Sequence, residues 1–450
     1  MRYDIGIIGG GPGGYVAAIK GAQAGADVIL FEEDTVGGTC LNRGCIPTKS
    51  LLKSTRLLQE IREAGQYGIE AGRPKADYGK IFNRKDAVVK TLTSGVEGLL
   101  KKNKITVVKQ RAELENRHSI CAGKERYEVE HVILATGSVP ARPPVKGIEN
   151  ALDSDGILEM KELPKSMIIM GGGVIGVEFA MIFQVLGVEV TIVEMLPGVL
   201  QMADEAVIAA AESMLQKAGV RVITGAVTEE VDTDGIIYTK DGERIKISSE
   251  IVMAATGRIP NTNIERLDIL GIRHDRGKIE TDMRMRTNIP GIYAIGDLNG
   301  RSMLAHTASM EASVAVSDIM GESVQMDYSR IPSCVYTVPE IAWTGMTEKQ
   351  AKELNIPVRT GTFPMSANGK SLVEGNTDGM IKLIAHEKTG EILGGHLVCL
   401  HATDMIMEIG ILMGMEGTAA DISQSIHPHP TVSEAILEAA EAIRGKAVHI

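Results

Sequence analysis

Two cysteines, Cys40 and Cys45, stand in the stretch GGTCLNRGCIPTK with four residues between them. That separation brings two α-carbons within disulfide range if the chain bends, and Gly44 lies between them. A structural disulfide is typical of small secreted chains, and a zinc site would need a second cysteine pair. We therefore interpret the pair as catalytic and redox-active. The remaining cysteines are scattered, at Cys121, Cys334 and Cys399.

The length and charge of the chain exclude several classes of protein. With 450 residues, about two to four domains are expected. A net charge of −11 argues against nucleic-acid binding, which needs clustered lysine and arginine. The N-terminus lacks the pattern of a signal peptide. The longest apolar stretch, 167–196, is interrupted by glycines, Glu178 and Gln184, which argues against a membrane span. We expect a cytoplasmic protein.

The sequence contains an internal repeat. Residues 4–34 and residues 166–195 each read as an apolar strand, a G-x-G-x-x-G turn, an apolar-periodic helix and a second strand. In both copies the second strand ends in an acidic residue, 23 residues after the first glycine. The residues of the first copy are Gly9, Gly11, Gly14 and Glu32, and those of the second are Gly171, Gly173, Gly176 and Glu194.

This spacing is specific to dinucleotide binding. The first glycine permits the tight turn, the second lets the backbone approach a pyrophosphate, and the third packs helix against strand. The acid can accept hydrogen bonds from a ribose diol. A single glycine turn would be weak evidence, but two copies in register predict an α/β fold with two Rossmann-like dinucleotide-binding domains.

The two sites are expected to bind different cofactors. An acid such as Glu194 favours a free 2′-hydroxyl, and no arginine follows it in MLPGVLQMAD, so the second site should prefer NAD over NADP. The cysteine pair follows the acid of the first site closely. Nicotinamide does not normally bond to thiols, whereas a flavin exchanges electrons with sulfur. We therefore predict FAD in the first site.

Further motifs fit this arrangement. The segments HVILATGSVP (131–140) and IVMAATGRIP (251–260) both read as strands ending in Ala-Thr-Gly, one downstream of each glycine turn. The segment NIPGIYAIGDLNG (288–300) reads as a short strand ending in Asp297, whose carboxylate could reach hydroxyls of a cofactor. Lys49, about one turn beyond Cys45, would favour a thiolate; the alternative is a solvated helix lysine.

The stretch GGTCLNRGCIPTKS resembles the redox motif of the pyridine nucleotide-disulfide oxidoreductases. The segments ATGS, ATGRIPN, YAIGD, MLAH, VYTVPEIAWTG and HPHPTVSE extend the resemblance over essentially the whole chain. The resemblance implies an FAD domain (1–145), an inserted NAD domain (146–261), a central domain completing the FAD site (262–329) and an α+β C-terminal interface domain (330–450). It also implies a homodimer in which both subunits contribute to each active site.

The resemblance also assigns roles to single residues. Cys40 would exchange with the substrate, Cys45 would lie against the flavin, and Lys49 would lie near the reactive flavin nitrogen, paired with Glu178. Asp297 would hold the ribityl side of the flavin. Further cofactor contacts would come from Thr39, Ala112, Thr136, Gly137, Ser138, Gly257, Met303, Leu304, Ala305 and His306. No metal site is implied.

His429, supplied by the partner subunit, would be the catalytic base, oriented by Glu434. Without the resemblance the same segment has a simpler interpretation, because Thr431 and Glu434 match the S/T-x-x-E capping box of the helix that follows. The histidines could then be loop residues. A metal site at His427-x-His429 is weaker still, since no third ligand is evident.

The implied reaction is the oxidation of dihydrolipoyl groups, on dihydrolipoamide or a lipoyl-carrying protein, through FAD to NAD. Partners would be 2-oxo-acid dehydrogenase, acetoin dehydrogenase or glycine-cleavage components. Three alternatives are considered. A glutathione-type reductase would need a basic patch after Glu194, and a mercuric reductase would need a C-terminal cysteine pair. The third is a docking subunit without catalysis. Two segments depart from the family: Gln110 replaces a common glycine near the adenine, and Cys399 and Leu400 replace a Gly-Pro.

Overall fold

A computed structural model describes residues 2–450. The N-terminal part forms a sheet in the order β3-β2-β1-β6, parallel, which is extended by the antiparallel strands β5 and β4. The strands are β1 (Arg2–Ile8), β2 (Val28–Phe31), β3 (Thr106–Val108), β4 (Ala112–Asn116), β5 (Ser119–Ala122), β6 (Glu125–Leu134) and β7 (Ser138–Pro140). The helices are α1 (Pro12–Gln23), α2 (Gly38–Arg43), α3 (Cys45–Glu63), α4 (Tyr78–Lys102) and α5 (Ser154–Glu159).

Strand β1 shows why this sheet is a buried core. Ile5 and Ile7 are fully buried, as expected for a central parallel strand covered on both faces. Helix α1 begins at Pro12, where a missing N–H costs nothing and the fixed φ suits a first turn. The fold therefore presents the turn between β1 and α1 at the carboxyl edge of the sheet, where ligands bind in open α/β sheets.

The second copy of the repeat forms a separate parallel sheet in the order β10-β9-β8-β14, next to an antiparallel sheet β11-β12-β13. The strands are β8 (Ser166–Met170), β9 (Glu189–Val193), β10 (Arg221–Ile223), β11 (Val227–Asp232), β12 (Gly235–Lys240), β13 (Glu243–Ser248), β14 (Ile251–Ala254) and β15 (Arg258–Pro260). The helices are α6 (Val174–Val185) and α7 (Glu205–Lys217). The predicted repeat of strand, turn, helix and strand is confirmed in both copies.

The next segment returns to the first sheet, because β18 pairs in parallel with β6. The elements are α8 (Ile264–Leu270), β16 (His274–Asp275), β17 (Lys278–Ile279), β18 (Ile292–Ala294) and α9 (Ala305–Ile319). Side chains of α1 and α9 share one apolar cluster with β1. Strand β18 is shorter than predicted: it ends at Ala294, and Asp297 lies in the following 3₁₀ turn.

The C-terminal part is an antiparallel sheet in the order β19-β20-β23-β22-β21, packed against helices. The strands are β19 (Ser333–Val335), β20 (Glu340–Gly345), β21 (Val358–Pro364), β22 (Met380–His386) and β23 (Ile392–Cys399). The helices are α10 (Glu348–Glu353), α11 (Gly369–Val373), α12 (Ala402–Gly414), α13 (Ala419–Gln424) and α14 (Glu434–Ile443). Within residues 2–450, no helix is both long enough and apolar enough to cross a bilayer.

Candidate active site

The two glycine turns have the same geometry. The first glycine of each has a left-handed φ, +106° at Gly9 and +109° at Gly171, and a Cβ there would lie 2.2 and 2.5 Å from a backbone carbonyl oxygen. A Cβ on Gly173 would meet no protein atom within 4 Å, and one on Gly11 would meet only Gly38, at 3.9 Å. The middle glycines therefore border space that is open to a pyrophosphate, and both turns fit a dinucleotide.

The acid after each second strand binds a backbone amide of the glycine turn. Glu32 accepts hydrogen bonds from the amides of Gly10 (2.7 Å) and Asp34 (2.9 Å). Glu194 is buried and accepts from Gly172 (2.6 Å) and Leu196 (2.7 Å). Each carboxylate oxygen keeps a second lone pair for a ribose hydroxyl. The sequence predicted the ribose contact, and this role in bracing the turn was missed.

The cysteines lie at the junction of two helices. Cys40 is in the short helix α2, and Cys45 is the first residue of α3. Gly44 separates the helices, and a Cβ on it would lie 2.9 Å from the carbonyl oxygen of Thr39, so this close bend suits glycine. Both cysteines are free thiols and half-buried. The bend that the sequence required at Gly44 is present.

The environments of the two thiols shift their pKa values in opposite directions. The hydrogen bond from Cys40 lowers the pKa of Cys45 to about 7, and the positive charge of Lys49 acts in the same direction against burial and Glu178. The same hydrogen bond, with burial, raises the pKa of Cys40 well above its usual value. Cys45 is therefore the thiolate of the reduced pair, and Cys40 is the thiol.

Lys49 and Glu178 form an ion pair between α3 and α6. The Nζ of Lys49 lies 2.9 and 2.8 Å from the two carboxylate oxygens, and the Glu178 side chain is only 4% exposed. The backbone amide of Tyr336 also donates to Glu178 at 3.0 Å. The resemblance predicted that Lys49 and Glu178 pair, and the structure brings them together. The Tyr336 contact was not foreseen from the sequence.

Asp297 is held by a chain of hydrogen bonds that begins at Arg258, in the segment ATGRIP. The Ser138 hydroxyl donates to the Asp297 carboxylate, and Arg258 donates to the hydroxyl and to the carbonyl of Ser138, both at 2.7 Å. The strands β7 and β15 pair in antiparallel fashion. The two Ala-Thr-Gly segments, predicted from their likeness in sequence, therefore bind each other. The role of Arg258 was not predicted from the sequence, although the residue lies in the second of these segments.

The structure places the remaining predicted cofactor residues in turns, near helix starts and at the start of a strand. Asn261 bonds Thr136 and Gly137 of the first Ala-Thr-Gly, and Gly257 accepts from the Ala141 amide at 2.9 Å. Met303 and Leu304 precede α9, which begins at Ala305 and His306. Thr39 lies in α2, and Ala112 opens β4. These positions remain proposed contacts.

A buried glutamate behind Asp297 was also missed. Glu311 of α9 is fully buried, and its carboxylate accepts hydrogen bonds from the Gly296 amide, the Asn299 side chain and the Tyr328 hydroxyl. Burial raises the pKa of Glu311, although these hydrogen bonds oppose the effect. The carboxyl group thereby fixes the 3₁₀ turn that carries Asp297.

His429 and Glu434 form a pair on the surface of this chain. The His429 ring is 79% exposed, and its Nδ1 lies 2.9 Å from Glu434 Oε1. Despite partial burial, hydrogen bonds from the Thr431 amide and His429 hold the pKa of Glu434 below its usual value. Because Nδ1 faces the carboxylate, the opposite ring nitrogen is free to point at a substrate.

The capping-box prediction for this segment is half wrong. Glu434 accepts from the Thr431 amide, as in a capping box, but the Thr431 hydroxyl donates to the carbonyl of Pro428. Helix α14 begins at Glu434 itself, with Ser433 as its N-cap. Among residues 2–450 there is no group of three or more His, Cys, Asp or Glu side chains that could hold a metal ion.

The fold and this site define a class: a dinucleotide-dependent dithiol–disulfide oxidoreductase, with two dinucleotide turns and one thiol–thiolate pair. Comparison with known proteins gives the family. Residues 3–312 match the pyridine nucleotide-disulphide oxidoreductases, and residues 331–440 match the dimerisation domain of the same family. The chain belongs to this family, whose members use FAD and NAD. The match to the dimerisation domain supports a homodimer.

Several relatives that match over their full length are named dihydrolipoyl dehydrogenase. The chain is 40% identical to the dihydrolipoyl dehydrogenase of Halobacterium salinarum, covering 99% of this chain and 97% of the relative. It is also 40% identical to a dihydrolipoyl dehydrogenase of Bacillus subtilis, with 100% and 99% covered. A similar solved structure is the HOCl-induced flavoprotein disulfide reductase RclA from Escherichia coli, with a TM-score of 0.87, 29% identity and coverage of 98% and 99%.

Proposed function

We propose that this protein oxidises dihydrolipoyl groups to lipoyl groups, with FAD as its bound cofactor and NAD as the final acceptor. The observation that carries the proposal is the Cys40–Cys45 pair, in which one sulfur is a thiolate beside the Lys49–Glu178 ion pair. Full-length likeness to proteins named dihydrolipoyl dehydrogenase supports this choice of substrate.

The first chemical step opens the Cys40–Cys45 disulfide of the oxidised protein. A substrate thiol gives its proton to His429 and attacks the sulfur of Cys40, so that a mixed disulfide forms and Cys45 leaves as a thiolate. Because a thiol of lower pKa leaves faster, a pKa of about 7 at Cys45 favours attack on Cys40 and not on its partner.

The second step releases the product. The remaining substrate thiol attacks the substrate sulfur of the mixed disulfide, its ring closes, and Cys40 leaves and takes the proton held by His429. The second substrate proton remains on His429, and the two electrons remain on the cysteine pair as one thiol and one thiolate. The Lys49 ammonium stabilises that thiolate.

FAD, when bound, would supply the two-electron chemistry that links the dithiol to NAD. Gly9, Gly11, Gly14, Glu32 and Asp297 would hold it, and Gly171, Gly173, Gly176 and Glu194 would hold NAD. Glu194 is followed by the exposed Met195 and Leu196, without the cation that a 2′-phosphate would need.

The active site is proposed to be shared by two subunits of a homodimer. His429 is largely exposed in one chain, and a partner subunit would cover it and bring it to the cysteine pair of the other chain. We propose a cytoplasmic location and a lipoyl-carrying protein as the natural substrate, in a 2-oxo-acid dehydrogenase, acetoin dehydrogenase or glycine-cleavage system. An inert docking subunit would have no use for Cys40, Cys45, His429 and Glu434 together.

The test is NADH production by the purified, FAD-loaded protein given dihydrolipoamide and NAD, beside the same reaction with NADP. Turnover with NAD that is abolished by Cys45→Ser, but kept by Cys121→Ser as the matched control, supports the proposal. Cys121 lies on β5, outside the proposed site. If dihydrolipoamide fails while oxidised glutathione or another disulfide is reduced by NADH or NADPH, the substrate assignment is wrong.

A further inference from the structure

Three separate parts of the chain meet at the ion pair beside Cys45. Lys49 comes from α3, Glu178 from α6, and Tyr336 follows β19 of the C-terminal sheet. Glu178 Oε1 accepts from both Lys49 Nζ (2.9 Å) and the Tyr336 amide (3.0 Å). The C-terminal sheet therefore fixes one oxygen of the carboxylate that holds the ammonium group.

The ring of Tyr336 contacts the same ammonium group. Lys49 Nζ lies 4.5 Å from the centroid of the ring, within the range of a cation–π contact. The Lys49 side chain is 30% exposed, and both residues line a cavity of about 150 Å³ between α3, α6 and the turn after β19. Without the ring, the ammonium group could swing into this cavity and away from Cys45.

We propose that Tyr336 is a positioning residue for the redox centre: its ring and its amide together keep the Lys49 charge beside Cys45. The inference rests on the proposed function only in taking Cys40 and Cys45 as the redox pair, and it does not depend on the substrate. By this proposal, the segment after β19 of the C-terminal sheet influences Cys45 through the position of Lys49.

Other charged groups in reach must be considered. Those that act on Cys45 are Cys40, Lys49 and Glu178, and those that face Tyr336 are Cys334, Glu178, Glu340 and Cys45. Burial raises the pKa of the Tyr336 phenol to about 12, so it stays neutral at neutral pH and adds no charge of its own. The ring therefore acts on Cys45 through the position of Lys49.

The experiment measures the rate at which iodoacetamide modifies Cys45 as a function of pH in FAD-loaded Cys40→Ser protein. This background prevents a disulfide and keeps a hydroxyl donor next to Cys45. Mass spectrometry of the Cys45 peptide separates it from the other thiols. We expect Tyr336→Leu to lower the rate at pH 7 about two- to fourfold, in keeping with a half-exposed cation–π contact, with no difference at pH 10.

Two further substitutions make the result specific. Tyr336→Phe keeps the ring and should match the parent, whereas Tyr336→Trp offers a stronger π face and should shift the profile to lower pH. The matched control is Phe82→Leu, which removes another ring from under a lysine, Lys85 at 3.8 Å, and should leave the profile unchanged.

The inference is overturned if the pH profiles of Cys45 alkylation in Tyr336→Leu and Tyr336→Trp are both the same as in the parent. It is also overturned if Tyr336→Phe shifts the profile as much as Tyr336→Leu, since the hydroxyl would then be responsible. If Tyr336→Leu fails to fold, the Trp and Phe variants decide. Failure of the wild-type protein to oxidise dihydrolipoamide would refute the proposed substrate. It would not affect the inference about Tyr336, because the alkylation measurement uses no substrate.

Discussion

Replacing Lys49 by methionine should raise the pKa of Cys45. That pKa is about 7, against 9.0 for an ordinary thiol, and the difference of about 2 corresponds to about 3 kcal/mol of preference for the thiolate. The hydrogen bond from Cys40 is the largest contribution, and the charge of Lys49 is the next that favours the thiolate. An opposite charge nearby shifts a pKa by about 1 to 3. We therefore expect Lys49→Met to raise the pKa by about 1.

The consequence is measurable near neutral pH. With a pKa of about 7, about half of Cys45 is thiolate at pH 7, and with a pKa of about 8 about a tenth is. Alkylation of Cys45 in a Cys40→Ser background should thus slow about fivefold at pH 7 and be unchanged at pH 10. Glu178 opposes the thiolate, so Glu178→Gln should shift the profile in the opposite direction, towards lower pH.

Three results would refute this reasoning. A profile that is the same in Lys49→Met and the parent would mean that the Lys49 charge does not reach the sulfur. A rate that falls equally at pH 7 and pH 10 would indicate altered access of the reagent and not altered ionisation. Shifts of the same sign in Lys49→Met and Glu178→Gln would also contradict the electrostatic account.

Three further predictions test other parts of the site. His429→Gln should lower turnover of dihydrolipoamide about 10²- to 10⁴-fold. Oxidation of NADH by an artificial electron acceptor, which bypasses the thiols, should be unchanged. Loss of both activities would contradict the role of His429 as the base for the substrate thiol. Arg258→Met should weaken FAD binding about tenfold, because it removes a support of Asp297 worth about 1 to 2 kcal/mol, and release of flavin fluorescence on dilution measures it. The double substitution Glu194→Ala and Met195→Arg should raise the ratio of kcat/KM for NADP to kcat/KM for NAD at least about tenfold, which corresponds to about 1.4 kcal/mol. An unchanged ratio would exclude Glu194 as the determinant of the preference for NAD.

Local patterns were read correctly because they depend on neighbours in sequence. The turn at Gly9 needs a left-handed φ and a close backbone approach, and both are steric properties of a few adjacent residues. The same holds for the second copy at Gly171. Hydrophobic periodicity then predicts the strands and helices on either side.

The resemblance to a family supplied pairings that spacing cannot give. Lys49 and Glu178 are 129 residues apart, and nothing local to either residue indicates the other. The roles of Thr39, Ala112 and the segment from Met303 to His306 as cofactor contacts remain predictions of that resemblance. The capping box at Thr431 shows the opposite case: a local pattern was present, but the hydroxyl found a different acceptor.

The sequence by itself determined that two dinucleotide turns and one close cysteine pair exist, because glycine sterics, strand and helix periods and residue types are local properties. Only the tertiary structure decided how acidic Cys45 is, since its pKa depends on its hydrogen bond with Cys40 and on the nearby charge of Lys49. It also decided that Tyr336 and Arg258 support the site. Electrostatic interactions and hydrogen bonds act over a few ångströms in space, and folding alone sets those distances between residues far apart in the chain.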